Sequence, residues 1–197
     1  MAQSKRITSR QAQAIKTRNK ILKTTIDLMQ KKGFDNITIE TISKKAGVSV
    51  GSFYYYFKSK NDILLDIFHK ADDYLQAHID DSMSNLPIED QIVQFYIYYA
   101  KYVKLTSMDF TKRLYNTDNK AFLDRDRAMF HLMNEIVERG QRTGELIRTE
   151  ESIAIVEYFF ITARGIVFDW CLHDGSYDIE EVLPFYMRRL VTVFKQQ

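Results

Sequence analysis

Apolar residues recur three and four positions apart along nearly the whole chain, and nowhere do they alternate as in a half-buried strand. From Gln11 to Lys32, Ile15, Ile21, Leu22, Ile26, Leu28 and Met29, with Thr25 among them, predict a helix stopped by Gly33. Thr38 caps a short amphipathic helix to Ala46, with Ile39, Ile42 and Ala46 on one side and Glu40, Lys44 and Lys45 on the other. Gly47 suits the turn at its end, Val48 can plug the angle between two helices, and Ser49 caps the second of them. That second helix, Val50 to Phe57, holds Gly51, Ser52 and an unbroken aromatic run. Only Phe53 and Phe57, four apart, share the core-facing side; Tyr54, Tyr55 and Tyr56 spread around the rest. Helix, short Gly-containing turn and helix form the signature of a helix-turn-helix, whose second helix enters the DNA major groove.

Beyond it, Lys60 to about Ser84 reads as one long helix shared by two domains, with Ser59 as N-cap and Asp62 completing a variant capping box. Asn85-Leu86-Pro87 ends it, and Ile88 to Leu105 forms the next, crowded with Phe95, Tyr96, Tyr98, Tyr99 and Tyr102. A short helix is expected within 106–120, a longer one from Ala121 to Arg142 closed by Gly144, and another from Glu150 to His173 capped by Thr149. Asp178 with Glu181 opens the last, to about Phe194, with Pro184 in its second turn as a source of a kink or a later start. The helix containing Ile153 to Trp170 is apolar nearly all round and must be covered on more than one side. The last two helices therefore predict one face in their own core and another against a twin, with Ala163 and Gly165 allowing close approach. The fold class is all-α: a three-helix DNA-binding domain over residues 1–60 and a helical ligand-binding and dimerisation domain over 61–197.

Charge sharpens this division. Residues 1–60 hold 13 Lys and Arg against Asp27, Asp35 and Glu40, whereas the remainder holds 15 against 23 acids, although the total is only +2. A basic head on an acidic body fits a nucleic-acid module joined to a domain with another task. Residues 1–10 are polar, basic and without period, as expected of a mobile arm. A lone cysteine, Cys171, fits a reducing compartment. The longest apolar run is broken by Glu157, Arg164 and Asp169, and no apolar segment follows the N-terminal charges, so a cytoplasmic protein with no membrane association is expected. His69, His78, His131 and His173 are scattered, and Cys171-Leu172-His173 alone supplies too few metal ligands. Gly47-Val48-Ser49-Val50-Gly51 matches a hydrolase nucleophile elbow, but a helix and not a strand precedes it. Neither an enzyme nor a cofactor is expected.

Thr17-Arg18, Ile21-Leu22, Leu28-Met29, Gly33-Phe34, Thr38, Ile42, Ala46-Gly47-Val48-Ser49, Gly51, Tyr54, Tyr56-Phe57, Lys60 and Leu64-Leu65 together resemble the N-terminal signature of the TetR family of bacterial transcriptional regulators. Thr25 and Ser43 stand where that family usually has Ala. The resemblance covers roughly residues 15–65 and implies an all-helical two-fold dimer that binds an operator and is released by a small ligand. Carried over by position, it implies that Val50, Gly51, Ser52 and Tyr55 face base edges while Thr38, Ser49, Tyr54, Tyr56 and Lys60 hold phosphates. Val50 and the Tyr55 ring suit thymine methyls.

The middle helices carry more aromatics than a small core requires. Tyr96, Tyr99, Tyr102, Phe110, Tyr115, Phe122, Phe130, Met133, Phe160 and Trp170 are candidates to line an apolar pocket, with His131, Asn134 or Arg164 orienting a guest; ordinary core is the competing assignment for each. Arg164, inside so apolar a helix, calls for a carboxylate: Glu157, Asp169, an acid of a partner subunit, or an acidic ligand. The expected function is a repressor that binds a palindromic operator as a homodimer through its last two helices and is released by a small hydrophobic effector. The alternative is a DNA-binding protein of the same fold without small-molecule control.

Overall fold

The computed structural model describes residues 8–79, 81–106, 108–115 and 120–196, so most of the expected N-terminal arm lies outside the described residues. They divide into two compact units, residues 1–67 and 68–197. Ile63, Leu64 and Ile67, at the end of the first unit, are buried.

In that unit α1 spans Ser9–Lys32, α2 Ile39–Ala46 and α3 Val50–Tyr56, and α4, Lys60–His78, begins there. α1 starts before Gln11 because Thr8 forms a capping box: its side chain accepts from the Gln11 amide at 3.3 Å, and Gln11 Oε1 accepts from the Thr8 amide at 2.9 Å. Ile21, Leu22, Leu28 and Met29 face the core with Phe34, Ile37, Ile42 and Ala46, whereas Ile15 stays exposed. Thr25 satisfies its buried hydroxyl on the Ile21 carbonyl at 2.9 Å, but the Ser43 hydroxyl is buried without a partner. Gly47 closes α2 in the left-handed region, φ 64°, where a side chain would be strained; its amide donates to Lys44 and the Val48 amide to Ser43.

α4 ends at His78 rather than near Ser84, and a 3₁₀ turn follows at Asp81–Asn85. Ser84 and Asn85 there are residue types that disfavour a helix interior. In the second unit, α5 is Ile88–Leu105, α6 Met108–Leu114, α7 Ala128–Thr143, α8 Ser152–Leu172 and α9 Ile179–Val193. α5 packs on α9 and α7, and α8 on α7 and α9. Phe95, Tyr96, Met133, Phe159, Leu183 and Met187 are fully buried among them. Arg188 binds Glu89 and Asp90 at 3.0 Å and Lys195 binds Glu89 at 2.6 Å, tying the start of α5 to α9 and the C-terminal segment.

Two further expected boundaries move. A single helix from Ala121 is replaced by a 3₁₀ turn, Lys120–Leu123, and by α7 from Ala128. Asp124 turns the chain between them by accepting from the Asp126 amide at 2.9 Å. α8 begins at Ser152, not Glu150, with Glu151 and not Thr149 at its N-cap, because Gln141 Nε2 holds the Ile147 and Glu150 carbonyls, at 2.9 and 2.8 Å, in the preceding loop. α9 starts at Ile179 and runs through Pro184; Asp178 caps it by accepting from the Glu180 amide at 3.0 Å, without the expected box to Glu181. Among the described residues no helix is long and apolar enough to cross a membrane.

Candidate DNA-reading surface and body pocket

α3 is anchored on one side and bare on the other. Phe53 and Phe57 are buried, with ring centroids 5.8 Å apart. Tyr55 is 79% exposed, Val50, Gly51 and Tyr54 are exposed, and Ser52 and Tyr56 are half-buried. The Tyr55 ring stands edge-on to Tyr56 at 4.9 Å and Tyr54 edge-on to Phe53 at 5.7 Å, which restrains both exposed rings. Thr38 and Ser49 cap α2 and α3 by accepting from Thr41 and Ser52 amides. Each is also paired to the hydroxyl of Thr41 or Ser52, at 3.2 and 2.9 Å.

Gly51 has negative φ, and a Cβ there would meet only Ser49 Oγ, at 3.8 Å. Nothing in the unit requires glycine, which costs a helix interior about 0.5–1 kcal/mol relative to alanine. Lys60 is less available than its position suggests: Nζ donates to the carbonyls of Phe34 at 2.7 Å and Ile37 at 2.9 Å and lies 4.3 Å from the Phe34 ring centre. One of its three N–H donors is left over.

In the second unit a cavity of about 290 Å³ is lined by Tyr99, Phe122, Phe130, Phe160 and Arg164 from the sequence-derived set, and by Leu123, Asp124, Arg125, Arg127, Met129, Glu157 and Ile161, which that set lacked. Phe130 and Phe160 stack at 5.7 Å and 16°. Tyr96 and Met133 are fully buried core, and Tyr96 carries a hydroxyl with no partner, its pKa pushed well up by burial. Tyr102, Phe110 and Tyr115 line a separate void of about 30 Å³, and Tyr115 joins its hydroxyl to that of Tyr99 at 2.7 Å. Trp170 donates to the Tyr177 carbonyl at 2.9 Å, Asn134 to Glu138 at 2.8 Å, and neither these two nor His131 lines either space.

Arg127 is the wall residue no sequence pattern marked. Its Nε donates to Asp72 Oδ2 at 3.0 Å, Nη2 donates to the Phe68 carbonyl at 3.2 Å, and the guanidinium lies 3.7 Å from the Phe68 ring centre. The other oxygen of Asp72 accepts from the Met129 amide at 2.9 Å, so a carboxylate on α4 caps α7. Pocket wall and α4 thus share one buried ion pair.

A third surface is the outer side of α8. Tyr158, Ile161, Gly165, Phe168 and Leu172 succeed one another at three and four residues and all are exposed, as are Phe185 and Tyr186 on α9. No atom lies within 4 Å of a Cβ added at Gly165. Beside it an open groove of about 710 Å³ runs between Ile166, Tyr177, Val182 and Phe185.

A helix-turn-helix with a bare recognition helix, joined to a helical unit with an aromatic cavity, defines a DNA-binding regulator of helical type. Residues 21–67 match the family described as bacterial regulatory proteins, tetR family. The chain is 48% identical over 48 residues to the uncharacterised HTH-type transcriptional regulator YerO of Bacillus subtilis, a match covering 24% of this chain and 17% of that one. It is 21% identical over 182 residues to the fatty acid metabolism regulator protein of Bacillus subtilis, covering 87% of this chain and 92% of that one. The crystal structure of Thermus thermophilus FadR, a TetR-family transcriptional repressor in complex with lauroyl-CoA, superposes with a TM-score of 0.70 at 20% identity, over 88% of this chain and 93% of that one. The segment 21–67 is thus that of a tetR-family regulatory protein, and over most of its length the chain shares the fold of regulators of that kind.

Proposed function

We propose that the protein is a ligand-responsive repressor that binds a palindromic operator as a homodimer and leaves it when a small, largely apolar effector occupies the cavity at Phe130 and Phe160. The observation that carries the DNA half is the outward side of α3, where Val50, Gly51, Tyr54 and Tyr55 are bare on a helix whose other side is anchored. Val50, Gly51, Ser52 and Tyr55 read base edges, and Thr38, Ser49, Tyr54, Tyr56 and the remaining donor of Lys60 hold phosphates. The exposed stripe of α8 with α9 pairs two copies, and two heads then reach successive major grooves about 34–36 Å apart.

The ligand half is supported by the Arg127–Asp72 pair. A guest pressing on Arg127 changes its grip on Asp72 and the Phe68 carbonyl, and so the setting of α4, which is continuous with the first unit. A coupling of about 1–3 kcal/mol is sufficient for such control. Gel-shift titration against duplex fragments from the promoter of its own gene, at several salt concentrations and with and without hydrophobic small molecules, tests both halves. Salt-dependent, sequence-selective shifts that ligand reverses are expected. Binding that no ligand alters would favour a regulator without small-molecule control, and no selective binding would remove the proposal.

A further inference from the structure

Arg164 borders the cavity as a half-buried cation that no carboxylate of the described residues meets. Its hydrogen bond runs from Nη1 to the Phe122 carbonyl at 3.3 Å, and its guanidinium lies 5.8 Å from the Phe122 ring centre. Both acids of its own helix that could neutralise it are engaged elsewhere. Glu157 pairs with Arg125, and Asp169 accepts from the Tyr177 hydroxyl at 3.0 Å and faces His173 at 3.4 Å. The other cations of the cavity wall are matched, Arg125 by Glu157 and Arg127 by Asp72. Asp124 is turned to the Asp126 amide. A guanidinium set among Tyr99, Phe122 and Phe160 therefore keeps most of its fork of N–H donors for something other than the described residues. A cation in such surroundings is stabilised by an opposite charge, and a carboxylate fits the fork bidentately.

We infer that the cavity binds a small monocarboxylate, its acid seated on Arg164 and its apolar body against the Phe130–Phe160 stack, and not a coenzyme A thioester. The inference rests on the repressor proposal and names its ligand class. At about 290 Å³ the space lies at the lower end of ligand sites, which run from about 300 to 1,000 Å³, and suits a small acid more closely than an acyl chain with its nucleotide.

The test is calorimetric titration of the full-length protein with 4-phenylbutyrate and octanoate, with the methyl ester of each, and with lauroyl-CoA, repeated on Arg164→Gln and Arg164→Lys. The acids are expected to bind about tenfold or more tightly than their esters, since a charge-assisted hydrogen bond is at stake. Arg164→Gln should abolish that preference while leaving ester affinity within about twofold, and Arg164→Lys should restore part of it. Equal affinity for acid and ester, binding of lauroyl-CoA alone, binding of none of the acids at millimolar concentration, or unchanged acid affinity in Arg164→Gln each overturns the inference. So does an Arg164→Gln protein that becomes monomeric on size exclusion yet binds the acids as before, because the guanidinium then answers to a partner's carboxylate. The same titrations run in the gel shift separate the two ideas. Acids that bind without moving DNA leave this inference standing and remove the repressor proposal, whereas release by a neutral ligand with no acid binding does the reverse.

Discussion

Asp72 and Arg127, 55 residues apart in the chain, form a buried ion pair at 3.0 Å in which the carboxylate also caps α7 through the Met129 amide. Asp72 is 8% and Arg127 7% exposed. Removing one partner leaves a buried charge and an uncapped helix. Asp72→Ala is expected to cost about 3–5 kcal/mol in urea unfolding. An Asp72→Ala/Arg127→Met double variant should recover much of it, and a loss equal to that of the single variant would show that the pair contributes by cap alone.

Lys60 has a structural task as well as the proposed phosphate contact. With two carbonyls of the α1–α2 connection depending on its ammonium, Lys60→Met should destabilise the protein by about 1.5–3 kcal/mol. If its third donor also meets phosphate, the variant weakens binding to all duplexes alike and lowers the salt slope by about one. A stability loss with an unchanged slope would confine Lys60 to the fold.

For Gly51 stability and binding should move in opposite directions. The open space at its Cβ predicts that Gly51→Ala stabilises the protein by about 0.5–1 kcal/mol. It should also reduce operator affinity, because a methyl group then stands between backbone and groove. Thermal melts and gel shifts on the same preparation check both.

Phe168 is about half exposed and lies one turn from Gly165 on the bare stripe of α8. A charge there costs nothing in a monomer and much in a packed interface. If this stripe pairs two copies as proposed, Phe168→Glu should leave the helical content unchanged and weaken dimerisation by at least about 2 kcal/mol, visible by light scattering on dilution. Operator affinity should fall with it.

Glu89 carries the pH dependence of the α5–α9 junction. The hydrogen bond from Lys195, and more weakly Arg188, holds its carboxyl below the ordinary 4.5 against a smaller effect of burial. A group whose folded pKa lies below its unfolded value stabilises the fold above the unfolded value and loses that contribution as pH falls through the folded one. Glu89→Gln is therefore expected to lower stability at neutral pH by about 0.5–1 kcal/mol, the range for partly exposed pairs. The gap between variant and wild type should close as melts are taken below pH 4.5.

The head was almost wholly legible. Its caps lie within three residues of the amides they satisfy, as at Thr38 and Ser49, and its core positions repeat at helical spacing over one continuous stretch. The expected and observed limits of α2 and α5 coincide for that reason. The errors fell where distant groups set the local outcome. The Ala121–Arg142 pattern reads as one helix until Asp72 supplies the cap at Met129, and the start of α8 depends on Gln141 holding the Glu150 carbonyl. Tyr96 and Tyr99 look alike as aromatic residues of α5, yet only Tyr99 reaches the cavity.

Periodicity, capping residues and the uneven charge by themselves determined an all-helical chain with a basic helix-turn-helix at one end, because each of these signals acts between near neighbours. Which aromatics enclose a space, which acid answers which arginine, and that Arg164 meets none among the described residues were decided by tertiary structure. Those pairings depend on how helices about 40 to 60 residues apart come to face each other, and one residue of rotation on a helix of about 3.6 residues per turn exchanges wall for core.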